Sequence, residues 1–125
     1  MAQLATDLVN PVPAAPALAA IDRGHLARIT FGDRGLEREV LQLFDRQAEL
    51  LLARMRDREP AVVATLAHTL KGSAASIGAT GVMGAAAAVE LAVVVADREL
   101  AIGRLASAID KVRAEIAELL DGPKG

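Results

Sequence analysis

Apolar residues recur every three or four positions over long stretches of this chain, and that period limits its fold more than any other feature. Leu36, Val40, Leu41, Phe44, Ala48, Leu51, Leu52 and Met55 form one such series, with Arg38, Glu39, Asp45, Arg46, Glu49, Arg54 and Arg56 between them. At about 3.6 residues per turn the apolar members share one face and the charged ones the others, as on a peripheral bundle helix. Ile102, Leu105, Ile109, Val112, Ile116 and Leu119 repeat the pattern near the other end. Hydrophobic residues make up 53% of the chain, yet it has only two Phe and neither Trp nor Tyr. Its core must therefore be assembled from Leu, Val, Ile and Ala, which suits closely packed helices, and no strand pattern competes.

The boundaries follow from turn and cap residues. Pro11, Pro13 and Pro16 among alanines mark residues 1–20 as a flexible Pro/Ala-rich N-terminal extension. A short amphipathic helix is expected after Asp22, using His25, Leu26 and Ile29, before a turn at Gly32-Asp33. Asp33 caps the long helix, and Pro60 opens the next, which runs to Ile77. After a break at Gly78–Gly81, a fourth helix is expected over Val82–Ala96, apolar almost all round and hence buried. A polar turn, Asp97-Arg98-Glu99, leads to the last helix, which Asp121-Gly122-Pro123 ends. Short loops between long helices imply antiparallel neighbours. The expectation is an all-α domain over residues 21–121, an up-down-up-down antiparallel four-helix bundle with a short additional N-terminal helix, followed by a tail at 122–125. A chain of 125 residues suits one such domain.

Several functions are disfavoured. The net charge is −2 and Lys and Arg are scattered, so the basic footprint of a nucleic-acid binder is missing. Cysteine is absent, which removes disulfides, thiolate metal sites and cysteine nucleophiles and fits a cytoplasmic protein. The N-terminus MAQLATDLVN lacks the basic start of a secretory signal. Gly72–Ala96 carries Glu90 as its only charge, but the glycines at 78 and 81 interrupt it and leave about 15 residues, short of the ~20 that span a bilayer. Two distant histidines do not build a zinc site. No GxxxxGK[ST] loop or glycine-rich nucleotide fingerprint is present, so neither ATP use nor a resident cofactor is expected.

The segment Pro60–Ile77 concentrates the chemistry. Stepping about 100° per residue from His68, Leu66, Leu70 and Ile77 fall on the opposite side, flanked by Val62, Val63, Ser73 and Ala74. Ala61, Ala64, Lys71, Gly72, Ala75 and Ala79 fall on the histidine's own side. His68 is therefore expected to stand exposed on a low surface of small residues. Gly72 lies mid-helix, where glycine costs roughly 0.5–1 kcal/mol relative to alanine. One turn after His68, the missing Cβ lets another backbone come close to the imidazole. Lys71 shares the face and is the only Lys or Arg between Pro60 and Ala96. It can place a cation beside an anion on the ring. His25 has no such neighbours and is read as a surface or packing residue. Ser73 is read as structural, its hydroxyl bonding back to a helix carbonyl, and Gly78 as the helix end. Glu90 either orients Lys71 or faces water.

The run His68-Thr-Leu-Lys71-Gly72-Ser73-Ala-Ala-Ser-Ile-Gly78-Ala79 strongly resembles the signature of histidine-containing phosphotransfer (HPt) domains. The match covers the histidine at His68, the leucine at Leu70, the Lys71-Gly72 pair, the small Ser73 and the glycine at Gly78, with an acidic residue at Glu90 on the following helix. Helix lengths from about Ile21 to Leu120 are similar as well. The resemblance implies that His68 is the phosphorylated nucleophile and that Lys71 stabilises phosphoryl charge. A partner would dock over Ala64, Gly72, Ala75 and Ala79. The partners implied are receiver domains of a hybrid histidine kinase, a response regulator or both, which bring their own Mg²⁺. The chain would act as a cytoplasmic, monomeric shuttle between receiver aspartates, with no nucleic acid or membrane partner. A helical adaptor or regulator that binds a signalling partner without phosphotransfer is the alternative.

Overall fold

The computed structural model describes residues 19–56 and 58–121. The expected extension, apart from Ala19 and Ala20, and the tail at 122–125 lie outside the described residues. Among the described residues are five helices and no strand: α1 (Arg23–Ile29), α2 (Arg34–Met55), α3 (Pro60–Ile77), α4 (Thr80–Leu91) and α5 (Val95–Asp121). No helix among them is long and apolar enough to cross a membrane.

The helix starts obey local chemistry. Asp22 Oδ1 accepts from the His25 amide at 3.0 Å and Asp33 Oδ1 from the Leu36 amide at 3.0 Å, satisfying donors that a first turn leaves free. Pro60 is the first residue of α3, where its missing N–H costs nothing. At the other end of α3, Gly78 turns left-handed at φ 76°. Its carbonyl accepts from the Asp22 amide at 2.9 Å, and a Cβ there would sit 2.8 Å from the Cβ of Asp22. The glycine thus both ends α3 and lets the start of α1 press against it.

The helices pack as a ring, with α3 against α2 and α4, α5 against α4 and α2, and α1 against α3. Leu41, Phe44 and Met55 of α2 meet Val63, Leu70 and Ile77 of α3, Val82 and Val89 of α4, and Leu105, Ile109 and Ile116 of α5 in one core. Each large aliphatic side chain buried this way contributes about 1.5–3 kcal/mol from area removed from water. The Arg113 Nε–Asp45 Oδ1 bond of 2.7 Å closes the ring between α5 and α2.

Two boundaries differ from expectation. The fourth helix does not run from Val82 to Ala96, nor is it buried all round. It starts at Thr80, ends at Leu91 and buries Val82, Ala86 and Val89 only. The expected polar turn, Asp97-Arg98-Glu99, lies inside the first turns of α5, and the true break is the apolar stretch Ala92–Val94. A run of β-branched valines loses side-chain freedom in a helix, so a break is cheap there despite the absence of Gly or Pro. Arg98 then folds inward, 9% exposed, and its Nη2 donates to the Val93 carbonyl at 3.1 Å. At the starts of the apolar series, Leu36 is exposed and Ile102 only partly covered.

These backbone differences give two glycines opposite roles. Gly78→Ala should lower stability by about 1–3 kcal/mol in chemical denaturation, since it adds left-handed strain and the Asp22 clash. Gly72→Ala, where a Cβ meets nothing within 4 Å, should raise stability by about 0.5–1 kcal/mol. Equal responses would refute this assignment.

Candidate functional site

Helix α3 has two unlike sides. Val63, Ala67, Leu70, Ala74 and Ile77 are buried, which fixes the rotation of the helix and turns His68 outward with 68% of its side chain exposed. Beside it, Gly72 is exposed and Ala64 and Ala75 are half-buried, so the surface is low as expected. Open space above a glycine is not peculiar to Gly72, since Gly81, Gly84 and Gly103 share it. What distinguishes Gly72 is its place one turn from the imidazole. Ala79 does not belong to this surface: it is fully buried. The left-handed turn at Gly78 takes the chain off the helical path, so the face projected from α3 stops at Ala75.

Glu90 reaches the site from α4. Its Oε2 lies 2.9 Å from His68 Nδ1 and its Oε1 2.8 Å from Lys71 Nζ, so one carboxylate holds both side chains. The Lys71 ammonium foremost, and His68 with it, hold the Glu90 carboxyl below the usual carboxylate range, against the opposing effect of desolvation. An ionised carboxylate only accepts hydrogen bonds, so Nδ1 must donate. In the neutral ring the lone pair then belongs to Nε2. Among the described residues no hydrogen bond engages Nε2. The arrangement is an oriented, exposed imidazole with no bond at Nε2 from the described residues and a cation three residues away.

The remaining candidates are structural in their surroundings. His25 Nε2 donates to the Ser76 carbonyl at 3.0 Å, a packing contact that ties α1 to the end of α3. The hydroxyl back-bond expected of Ser73 is made by Ser76 instead, whose Oγ donates to the Ser73 carbonyl at 2.7 Å. Among the described residues no group of three or more His, Cys, Asp or Glu side chains can hold a metal ion. No described groove includes His68, and the largest, about 910 Å³, runs between α4 and α5 past Ala85, Gly103 and Ala108. An exposed imidazole outside these grooves suits contact with another macromolecule better than binding of a small free substrate.

The family model of the Hpt domain matches residues 37–122. The chain belongs to the Hpt domain family. The match takes in nearly all of α2 and the whole of α3, α4 and α5, and therefore His68, Lys71 and Glu90, while α1 precedes it. Comparison with curated proteins and with solved structures gives no match. Membership in the Hpt family carries a histidine phosphotransfer role in phosphorelays and interaction with receiver domains of two-component systems. The contact that the sequence left unread is Glu90 to His68. Its signals were a lone charge in the apolar stretch after Gly78 and the acidic position that resembles the family.

Because its folded value is depressed, the Glu90 carboxyl contributes stability at pH above the ordinary carboxylate range and loses it as pH falls through the lowered value. In a ¹³C NMR titration the Glu90 carboxyl should therefore have a midpoint below the ordinary one. Lys71→Ala should move that midpoint upward, and by more than His68→Ala does. An unmoved midpoint in the lysine variant would show that the ion pair does not form in solution.

Proposed function

We propose that this Hpt domain carries a phosphoryl group on His68 Nε2 and passes it between receiver aspartates. The observation that carries the reading is the Glu90 bond to Nδ1, which leaves an exposed Nε2 lone pair. In the forward step the Nε2 lone pair attacks phosphorus of a docked receiver's aspartyl phosphate. A P–N bond forms, the P–O bond breaks, and the aspartate leaves with that electron pair. No proton needs to move. The ring becomes a phospho-imidazolium still carrying its Nδ1 proton, and the Glu90 carboxylate stabilises the positive charge that develops there, as a carboxylate does behind any imidazole acting at its other nitrogen. The second step reverses these bond changes on another aspartate. Lys71 bonds to Glu90 with one N–H and has two donors left for phosphoryl oxygens. The receiver would supply Mg²⁺ for charge on the transferring group.

On this reading the helices form an up-down-up-down antiparallel bundle over residues 21–121. The receivers belong to a hybrid histidine kinase, a response regulator or both, and the chain acts as a cytoplasmic monomer. Ala64, Gly72 and Ala75 form the surface a receiver approaches, while Ser73 and Gly78 serve the helix.

The test is label transfer from a phosphorylated receiver. His68→Ala should abolish labelling and His25→Ala should retain it, with an adduct lost in acid and kept in base as a phosphoramidate bond requires. Glu90→Gln and Lys71→Ala should each slow transfer roughly tenfold or more without preventing receiver binding, because both act on charge that develops in the transition state. Binding without transfer in the wild type would favour the adaptor, and label on His68→Ala would sink the assignment.

A further inference from the structure

The surface next to His68 gives access but little adhesion. Ala64, Gly72 and Ala75 offer almost no apolar area, and burial of apolar area is what makes most docking energy available. Immediately after Glu90 the situation reverses. Leu91 is 77% exposed, Val93 83%, Val94 58% and Val95 58%, a run of large apolar side chains facing solvent. This turn is not a frayed end. Ala92 N donates to the Val89 carbonyl at 3.2 Å and Arg98 N to the Val94 carbonyl at 2.9 Å. The buried Arg98 guanidinium holds the Val93 carbonyl at 3.1 Å. A buried cation thus fixes an exposed apolar turn.

Its position follows from the site. Glu90 bonds to His68, and α4 ends one residue later. The side chains of Leu91–Val94 therefore begin within four residues of Glu90, at most about 15 Å of chain. A protein contact of standard size covers about 800 Å² per partner, a disc of roughly 16 Å radius. A partner centred on the imidazole, which Glu90 touches, therefore reaches at least the start of this turn at Leu91.

We propose that the apolar turn Leu91–Val95 is the adhesive part of the docking surface for the receiver domain, meeting apolar side chains of that partner. The proposal rests on the reading that His68 exchanges phosphate with a receiver. The division of labour is that small residues around His68 admit the reacting groups while the Leu91–Val95 turn holds the partner.

The test takes the receiver that exchanges phosphate fastest with the wild-type chain in a survey of the source organism's receivers. It compares the wild type with Leu91→Ser/Val93→Ser/Val94→Ser and with the single Val93→Glu variant. Both variants should melt like the wild type, because the altered side chains are exposed. The KM for the phosphorylated receiver should rise about tenfold or more, while labelling of His68 by phosphoramidate, which needs no docking, should stay within about twofold. An unchanged KM in both variants would overturn the proposal. So would equal loss with both donors, which would mean that the turn supports His68 itself. A wild-type dimer that the triple variant disperses, with transfer from the receiver intact, would assign the turn to self-association instead. If the wild type takes phosphate neither from any receiver nor from phosphoramidate, the phosphotransfer reading itself fails.

Discussion

One carboxylate organises the reactive face of this bundle. Glu90 binds His68 through one oxygen and Lys71 through the other, so the ring's tautomer and the place of the cation are set by the same group. Without it, a histidine this exposed would rotate and share its proton between two nitrogens. With it, neutral imidazole presents its lone pair outward. Lys71 foremost keeps Glu90 ionised, and the ionised carboxylate can only accept from the ring.

That contact depends in turn on how closely α3 and α4 approach. Ala67 and Ala74 on the buried side of α3 and Ala86 on α4 are all fully buried. Side chains this short allow helix axes to approach toward the lower end of the usual range of about 8–10 Å, and Glu90 of α4 does reach both His68 and Lys71 of α3. Gly78 fixes the hairpin between them, and its close contact with Asp22 docks α1 beneath the same end. The alanine-rich composition thus serves the site as well as the core.

Much of this was legible in the sequence. The period of α2 and α5, the short helix after Asp22, the cap at Asp33, the start of α3 at Pro60 and its end before Gly78 all depend on neighbours within a few residues. The outward placement of His68 and Gly72 likewise follows from helical stepping within one segment. What failed to show depends on contacts between segments. Ala79 looked like part of the surface because the wheel was carried past a residue whose left-handed backbone ends it. The α4–α5 break was misplaced because valines obscure it and a buried arginine from the next helix stabilises it. From the sequence Glu90 either orients Lys71 or faces water; its bond to Lys71 takes the first alternative, while its bond to His68, 22 residues away, is not legible there.

The central claim is that Glu90 makes Nε2 the reacting nitrogen, and ¹⁵N–³¹P NMR on protein labelled in its histidines addresses it most directly. Before phosphorylation, the neutral His68 ring should appear as the Nδ1–H tautomer. After loading with phosphoramidate, phosphorus should couple to Nε2. A neutral ring found in the Nε2–H form, with phosphorus bonded to Nδ1, would contradict the account.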